Sequence, residues 1–167
     1  ILVNSAGVAV QSALSSGEVK DWQEMWEVNV LGVAIASREA LAHFDPEIGG
    51  HIVNLCSMSG HRVPGGGGFY APTKFAVRAM TAGLRQELRA AGNPTRVSQI
   101  SPGFVETELL DRYFDNSDLG SNYTPVEYPI LKPEDVASTV IHILTAPEHM
   151  DVTDVLMRPT QQAAYFF

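Results

Sequence analysis

Gly49-Gly50-His51-Ile52-Val53-Asn54-Leu55-Cys56-Ser57 is the stretch that decides the fold. Two glycines release the chain, a short and mostly apolar run follows, and a hydroxyl closes it. The run is apolar on both of its faces. Such a strand has no solvent side and fits a parallel sheet covered by helices, where an antiparallel strand would alternate. Upstream, Asp21 can cap a long helix that runs past Trp22, Trp26, Val30 and Val33 to about Phe44, where Asp45-Pro46 stops it. Further back, Ile1-Leu2-Val3 is a second apolar run that leads straight into the turn Asn4-Ser5-Ala6-Gly7.

Downstream, Ser57 to Gly68 reads as a loop, with Pro64 and four consecutive glycines, Gly65 to Gly68. A glycine run is too flexible for a regular element, and here it most simply bends over a cleft. No Lys-Ser/Thr follows it, so it is not a phosphate-binding loop of the P-loop kind. A helix from about Phe69 to Ala90 carries Ala76, Met80, Leu84 and Leu88 at helical spacing. Pro72 falls in its first turn and Gly92-Asn93-Pro94 end it. Arg96 to Ile100 is the next strand, followed by Ser101-Pro102-Gly103. The segment from about Glu108 to Leu131 has no clear period and reads as a mobile lid over a substrate, with Tyr113, Phe114, Tyr123 and Tyr128 in it. Lys132-Pro133-Glu134-Asp135 opens a helix through Leu144, and Asp154 to Met157 gives a last strand. Strand and helix in strict alternation predict an α/β fold, a doubly wound parallel sheet of Rossmann-like type joined by right-handed crossovers. Ligands of such sheets bind beyond the carboxyl ends of the strands, and Asn4, Ser57 and Gly103 follow three different strand ends.

Tyr70 and Lys74 lie one helical turn apart, on the same face of the predicted helix. A tyrosine has an ordinary pKa of about 10, too high for a base at neutral pH, and a fixed cation beside it would lower that value. With Ser57, the three groups make a proton-transfer device for a carbonyl or an alcohol. The pair alone is weak, since a Tyr with a Lys four later arises by chance in roughly one such sequence in three. Its company strengthens it: Asn4 to Gly7, Val28-Asn29-Val30-Leu31-Gly32, and Ser101-Pro102-Gly103-Phe104-Val105-Glu106-Thr107.

These blocks, in this order and at these separations, resemble the short-chain dehydrogenase/reductase family, and the resemblance covers nearly the whole chain. It implies transfer of hydride between a nicotinamide and a carbonyl or secondary alcohol, with Tyr70 as acid and base. It gives Lys74 the tasks of lowering the Tyr70 pKa and bonding the nicotinamide ribose, Ser57 that of holding the substrate oxygen, and Asn29 that of organising a water that refills the proton on Lys74. Ser59 is a close rival of Ser57. By the same resemblance Asn4, Ala6 and Gly7 approach the adenosine side of the cofactor, while Pro102, Gly103, Val105, Glu106 and Thr107 meet its carboxamide end. The cofactor implied is NADP(H), with NAD left open. Within the family, Ser59-Gly60-His61-Arg62-Val63, Gly83 to Arg89, Leu131 to Ala137 and Met157-Arg158-Pro159-Thr160 are similar to reductases of keto-steroids and other lipophilic carbonyls and, in part, to insect farnesol dehydrogenases. Ser5 stands where the family usually has an asparagine. The family's Gly-rich pyrophosphate turn has no counterpart here. The expectation is the C-terminal part of one Rossmann-type domain over residues 1–167, lacking its first strands, which folds poorly or binds cofactor weakly alone. The helices bearing Trp26 and Tyr70 commonly pair subunits in this family, so a homodimer or homotetramer is expected of the full-length protein. Rival readings are an inactive truncated isoform acting through that interface and a plain nucleotide-binding regulator.

The 167 residues suffice to bury one core, with 45% hydrophobic and 18% charged residues. A net charge of −8 without a Lys/Arg cluster argues against a nucleic-acid partner. No apolar run of the roughly twenty residues needed to span a bilayer is present, nor a signal-peptide pattern, and the cytoplasm is the expected compartment. Cys56 is the single cysteine and reads as filler at a buried strand end, which leaves no intrachain disulfide. The five histidines, His43, His51, His61, His142 and His149, show no metal-ligand spacing and read as surface or rim residues.

Overall fold

In this computed structural model, residues 1–115 and 127–163 are described. Four strands form one parallel sheet in the order β1 (Leu2–Asn4), β2 (His51–Leu55), β3 (Arg96–Pro102), β4 (Asp154–Met157). Register runs straight across it: Ile52 lies between Leu2 and Val97, and Asn54 between Asn4 and Gln99.

Both faces of β2 are covered, as its sequence requires. Ile52 and Val97 pack with Leu88 against Leu41, Phe44 and Leu84, which belong to or border α2 (Gly32–His43) and α3 (Tyr70–Ala90). Val53 and Ile100 face the other way, against Ile143, Val136 and Val140 of α5 (Pro133–Leu144). Burying one such aliphatic side chain is worth roughly 1.5–3 kcal/mol, so the alternation of Ile52 and Val53 alone commits both sheet faces.

The first long helix departs from expectation. It starts at Val19 as α1 (Val19–Trp26), after Glu18 and ahead of Asp21, which sits in its first turn and does not cap it. A π-helical turn, Glu27–Leu31, then joins it to α2. Such bulges sit often at functional sites, and this one contains Asn29. The segment after β3 holds a helix that its sequence period did not reveal, α4 (Glu108–Asp115). Residues 116–126 of the expected lid, Tyr123 among them, lie outside the described residues. Leu131 donates to Phe104 O and accepts from Glu106 N at 3.1 and 2.8 Å, so the chain leaving β3 is stapled where α5 begins. Among the described residues no helix is long and apolar enough to cross a membrane.

Candidate active site

A cleft of about 630 Å³ opens beyond the carboxyl ends of β1, β2 and β3, where the architecture favours a ligand. Each strand contributes its exit turn: Ser5 and Gly7 after β1, Ser57 after β2, and Pro102, Gly103, Val105 and Thr107 at and beyond the end of β3. Tyr70 and Lys74 enter from the first turns of α3. Phe104, Leu109, Leu110, Tyr113 and Phe114 add an apolar part to the cleft lining, with the Tyr113 ring 6.1 Å from that of Tyr70.

Ser57 leaves the sheet in extended backbone and begins the 3₁₀ turn Met58–Gly60. Its hydroxyl oxygen accepts from Ser59 N at 3.1 Å, and the same hydroxyl acts on the Tyr70 phenol, lowering its pKa. With an acceptor site of Ser57 occupied by an amide, its single proton is free for an oxygen in the cleft. Its rival Ser59 lines the same cleft and supports Ser57 through its backbone N–H. Tyr70 is held where α3 begins. Phe69 N donates to Ser12 O at 3.0 Å, and Gly68, at φ +45°, lies so close to the Ser12 carbonyl that a Cβ would collide with it.

Lys74 is buried at 4% exposure, and its ammonium donates to Leu55 O at 3.1 Å. No carboxylate is within ion-pair distance of it among the described residues, and burial lowers its pKa. It stands 5.7 Å from the centre of the Tyr70 ring. Burial pushes the Tyr70 phenol well above its ordinary value, and only the neighbouring Ser57 hydroxyl opposes that. The expected acidification of Tyr70 by Lys74 is therefore not met by the protein's own groups. Desolvation outweighs a cation that is itself buried and directed at a carbonyl.

Asn29 is placed otherwise than its helical position suggested. Its amide clamps the backbone of Val8, accepting from Val8 N at 2.9 Å and donating to Val8 O at 2.8 Å, and it also reaches Thr73 Oγ1 at 3.2 Å. It does not line the cleft, although its Oδ1 lies 3.5 Å from where a Cβ on Gly7 would stand. Asn4 spends its side-chain amide on Ser37 of α2 and Asn54 of β2. Ala6 and Glu106 also lie off the cleft wall. Gly103 does line it, and a side chain there would strike Gln162.

Of the histidines read as surface or rim residues, His51 departs from that reading and His61 is half-buried. His51 is buried and pairs Ser98 Oγ at 2.8 Å. His61 reaches Ser101 Oγ at 2.8 Å, across 40 residues of sequence. Gln11 and Gln162, both on the cleft wall, also escaped the sequence, because neither belongs to a recognisable local pattern.

The geometry agrees with the comparisons. A family model for short chain dehydrogenases matches residues 1–118. The chain belongs to this family. Among its relatives in it is dehydrogenase/reductase SDR family member 11 of Bos taurus, 45% identical over 97% of this chain and 65% of the relative. Among solved short-chain dehydrogenase relatives, the closed form of a serine dehydrogenase complexed with NADP+ superposes with a TM-score of 0.89 at 32% identity, covering 99% of this chain and 67% of that one. An alcohol dehydrogenase from the archaeon Thermococcus sibiricus, complexed with 5-hydroxy-NADP, gives 0.75 at 27%, over 96% and 63%. The chain thus spans about 65% of the length of the curated relatives it matches.

Proposed function

We propose that the protein carrying this chain is an NADP(H)-dependent oxidoreductase that interconverts a lipophilic carbonyl, of keto-steroid or related type, and its secondary alcohol. The observation that carries the reading is the convergence of Ser57 and Tyr70 on one cleft, beside the buried Lys74 ammonium, which has no carboxylate partner among the described residues. The residues present suit a nicotinamide dinucleotide. Lys74 keeps two N–H donors without partners among the described residues, a costly state in a buried cation that ribose hydroxyls would relieve. Gly7 lines the cleft without a side chain, 3.8 Å from Lys74 Nζ measured from where its Cβ would stand, which permits close backbone approach there. The likeness to structures holding NADP supports the phosphorylated form.

When bound, the nicotinamide supplies or accepts the hydride. Ser57 donates to the substrate oxygen and fixes it against the Tyr70 hydroxyl. In the reductive direction Tyr70 gives its proton to that oxygen as negative charge develops there, and Ser57 stabilises the same charge with a preset donor. The raised pKa of the phenol favours the protonated acid, the form reduction requires. Lys74 supplies positive charge over the Tyr70 ring and offers its remaining donors beside the Gly7 turn. Phe104, Leu109, Leu110 and Phe114 exclude water and favour an apolar substrate body over a charged one.

Trp26, Leu31, Ile35 and Phe75 are exposed apolar side chains on α1, the π turn, α2 and α3. Together they support a subunit interface on that side and hence a homo-oligomer. The test of the function is Tyr70→Phe, measured in the protein that includes any segment its gene encodes ahead of Ile1. Turnover of a keto-steroid with NADPH should fall by about a thousandfold with NADPH binding retained. Turnover within a few fold of the unchanged protein would sink the assignment.

A further inference from the structure

Ser57 belongs to a small arch whose two feet stand on neighbouring residues of β3. At one foot, Cys56 N donates to Ile100 O at 2.8 Å. At the other, the His61 ring nitrogen Nε2 lies 2.8 Å from Ser101 Oγ. Between the feet the arch is closed on itself, by Gly60 N to Ser57 O at 2.9 Å and His61 N to Met58 O at 3.0 Å. Its crown rests on the turn of α3 that carries Lys74. A Cβ on Gly60 would stand 2.6 Å from Cys56 Sγ and 2.7 Å from Lys74 O, so only glycine lets the arch lie that close.

The second foot is itself braced. Ser101 is fully buried, and its hydroxyl oxygen accepts from Gln99 Nε2 at 3.2 Å. The same Gln99 amide faces the Asp154 carboxylate at 3.3 and 3.4 Å, and Asp154 lies 3.9 Å from His61 Nε2. With one site of Ser101 Oγ taken by Gln99, its proton is available to a neutral His61. Burial favours that neutral form, while Asp154 opposes it. The arrangement is not a nucleophilic triad, because the carboxylate faces the same imidazole nitrogen as the serine, and a triad orients its histidine from the other nitrogen. What it does is fix a backbone path.

We propose that His61 is a positioning residue. Through its bond to Ser101 it holds the arch at the height that keeps the Ser57 hydroxyl beside Tyr70 in the cleft. The inference rests on the functional reading above but concerns a residue that touches neither substrate nor cofactor. Without the His61 foot the arch keeps Cys56 and Gly60 in place but can tilt about them, and Ser57 is the side chain that moves. A displacement of about 1 Å at a reacting group can cost up to a hundredfold in rate.

The experiment has an arm that reads the geometry and one that reads the chemistry, both in the protein with any segment encoded ahead of Ile1. For the first, tyrosine carrying ¹³C at the ring carbon bonded to the hydroxyl is incorporated, and the Tyr70 resonance is identified by its loss in Tyr70→Phe. Ser57→Ala should shift that resonance, His61→Ala should shift it the same way, and the double variant should move it no further. Ser101→Ala, which removes the other half of the bond at a small buried site, should repeat the shift even if His61→Ala does not fold. His61→Gln, whose side-chain carbonyl can accept from Ser101 in place of the ring nitrogen, should restore most of the original position. A Tyr70 resonance unmoved in both His61→Ala and Ser101→Ala overturns the proposal, whatever the enzyme does. In the kinetic arm, His61→Ala should lower kcat about tenfold with KM for NADPH unchanged, and should have no further effect in a Ser57→Ala background. Equal losses in both backgrounds would show that His61 acts elsewhere and overturn the proposal too. Failure of the functional reading looks different, since then Tyr70→Phe and Ser57→Ala leave turnover untouched while the resonance shifts still report on the arch.

Discussion

The two ends of the sheet treat their cations in opposite ways. At the amino ends of the strands, arginines are consumed by backbone carbonyls. Arg85 donates to Val97 O at 3.0 and 2.7 Å and to Thr153 O at 2.9 Å, Arg89 donates to Thr95 O, and Arg96 reaches the carbonyls of Ala146 and Met150. At the carboxyl ends the buried Lys74 has one carbonyl, Leu55 O, and donors to spare. A guanidinium is a rigid fork that closes several acceptors at once, whereas an ammonium is a compact charge with three donors on a flexible stem. The first arrangement ends a fold cleanly; the second keeps a site open for something else to bind.

If that contrast is right, Lys74→Met should have a large effect on function and little on the fold. The change leaves Leu55 O without its donor but retains apolar volume, so the melting temperature should move by a few degrees at most. Turnover should fall by about a hundredfold or more, with NADPH affinity falling alongside it, because the lost donors serve the ligand. Isothermal titration and steady-state kinetics on one preparation check both. Unchanged NADPH affinity would break the comparison, because Lys74 would then be one more structural cation.

The contrast also marks what could be read from the sequence. The carboxyl-end site was legible because its residues sit in short motifs at strand exits: Ser57 after the β2 run, Tyr70 and Lys74 on one helix face, Gly103 after β3. The sheet was legible because Ile52 and Val53, adjacent in sequence, are both apolar. What escaped depends on distance through space. Asn29 is held by Val8, 21 residues away, inside a π turn with no local signature. His51 and His61 find Ser98 and Ser101 only once β2 and β3 are side by side. The acidity of Tyr70 is set by how deeply α3 buries it, which spacing cannot report. Helix α4 spans only two turns between Glu108 and Asp115, too few for its period to emerge.

The amino-end machinery should show itself in acid. His51 is buried at the start of β2, and desolvation, helped by Arg96, lowers its pKa from 6.5 to about 4, with Asp151 opposing. Above pH 6.5 the imidazole is neutral in both folded and unfolded chains and contributes no pH dependence. As pH falls from 6.5 towards 4 the unfolded chain takes up a proton that the native one refuses. Stability should therefore drop by up to about 3 kcal/mol across that window and lose nothing more from this group below it. Urea unfolding of the unchanged protein and of His51→Gln, followed from pH 7 to 4, isolates the contribution, and identical slopes would remove His51 from the account. Arg85→Leu should cost less, about 2 kcal/mol, by leaving Val97 O and Thr153 O without their charged donor. Its kcat at a temperature well below melting should be unchanged. A large loss of kcat would mean that the two ends are coupled and that the division drawn here is too sharp.

The smallest expected effect lies at the cleft mouth and sharpens the contrast most, because it asks whether a neutral bond there serves the fold or the ligand. The Tyr113 hydroxyl donates to Gly66 O at 2.8 Å, tying α4 to the glycine run, while its ring stands 6.1 Å from that of Tyr70 and packs edge-on against Phe114 at 5.2 Å. Tyr113→Phe removes the bond and keeps the ring. A neutral, partly exposed hydrogen bond is worth about 1 kcal/mol, or roughly fivefold in an equilibrium. If the bond holds the mouth over a substrate, KM for the carbonyl should rise by about that factor, with NADPH affinity and melting temperature unchanged. If it serves the fold, the melting temperature should fall by a few degrees and KM should stay put. The first outcome extends the open-ended logic of Lys74 to a neutral side chain, and the second moves Tyr113 into the company of Arg85.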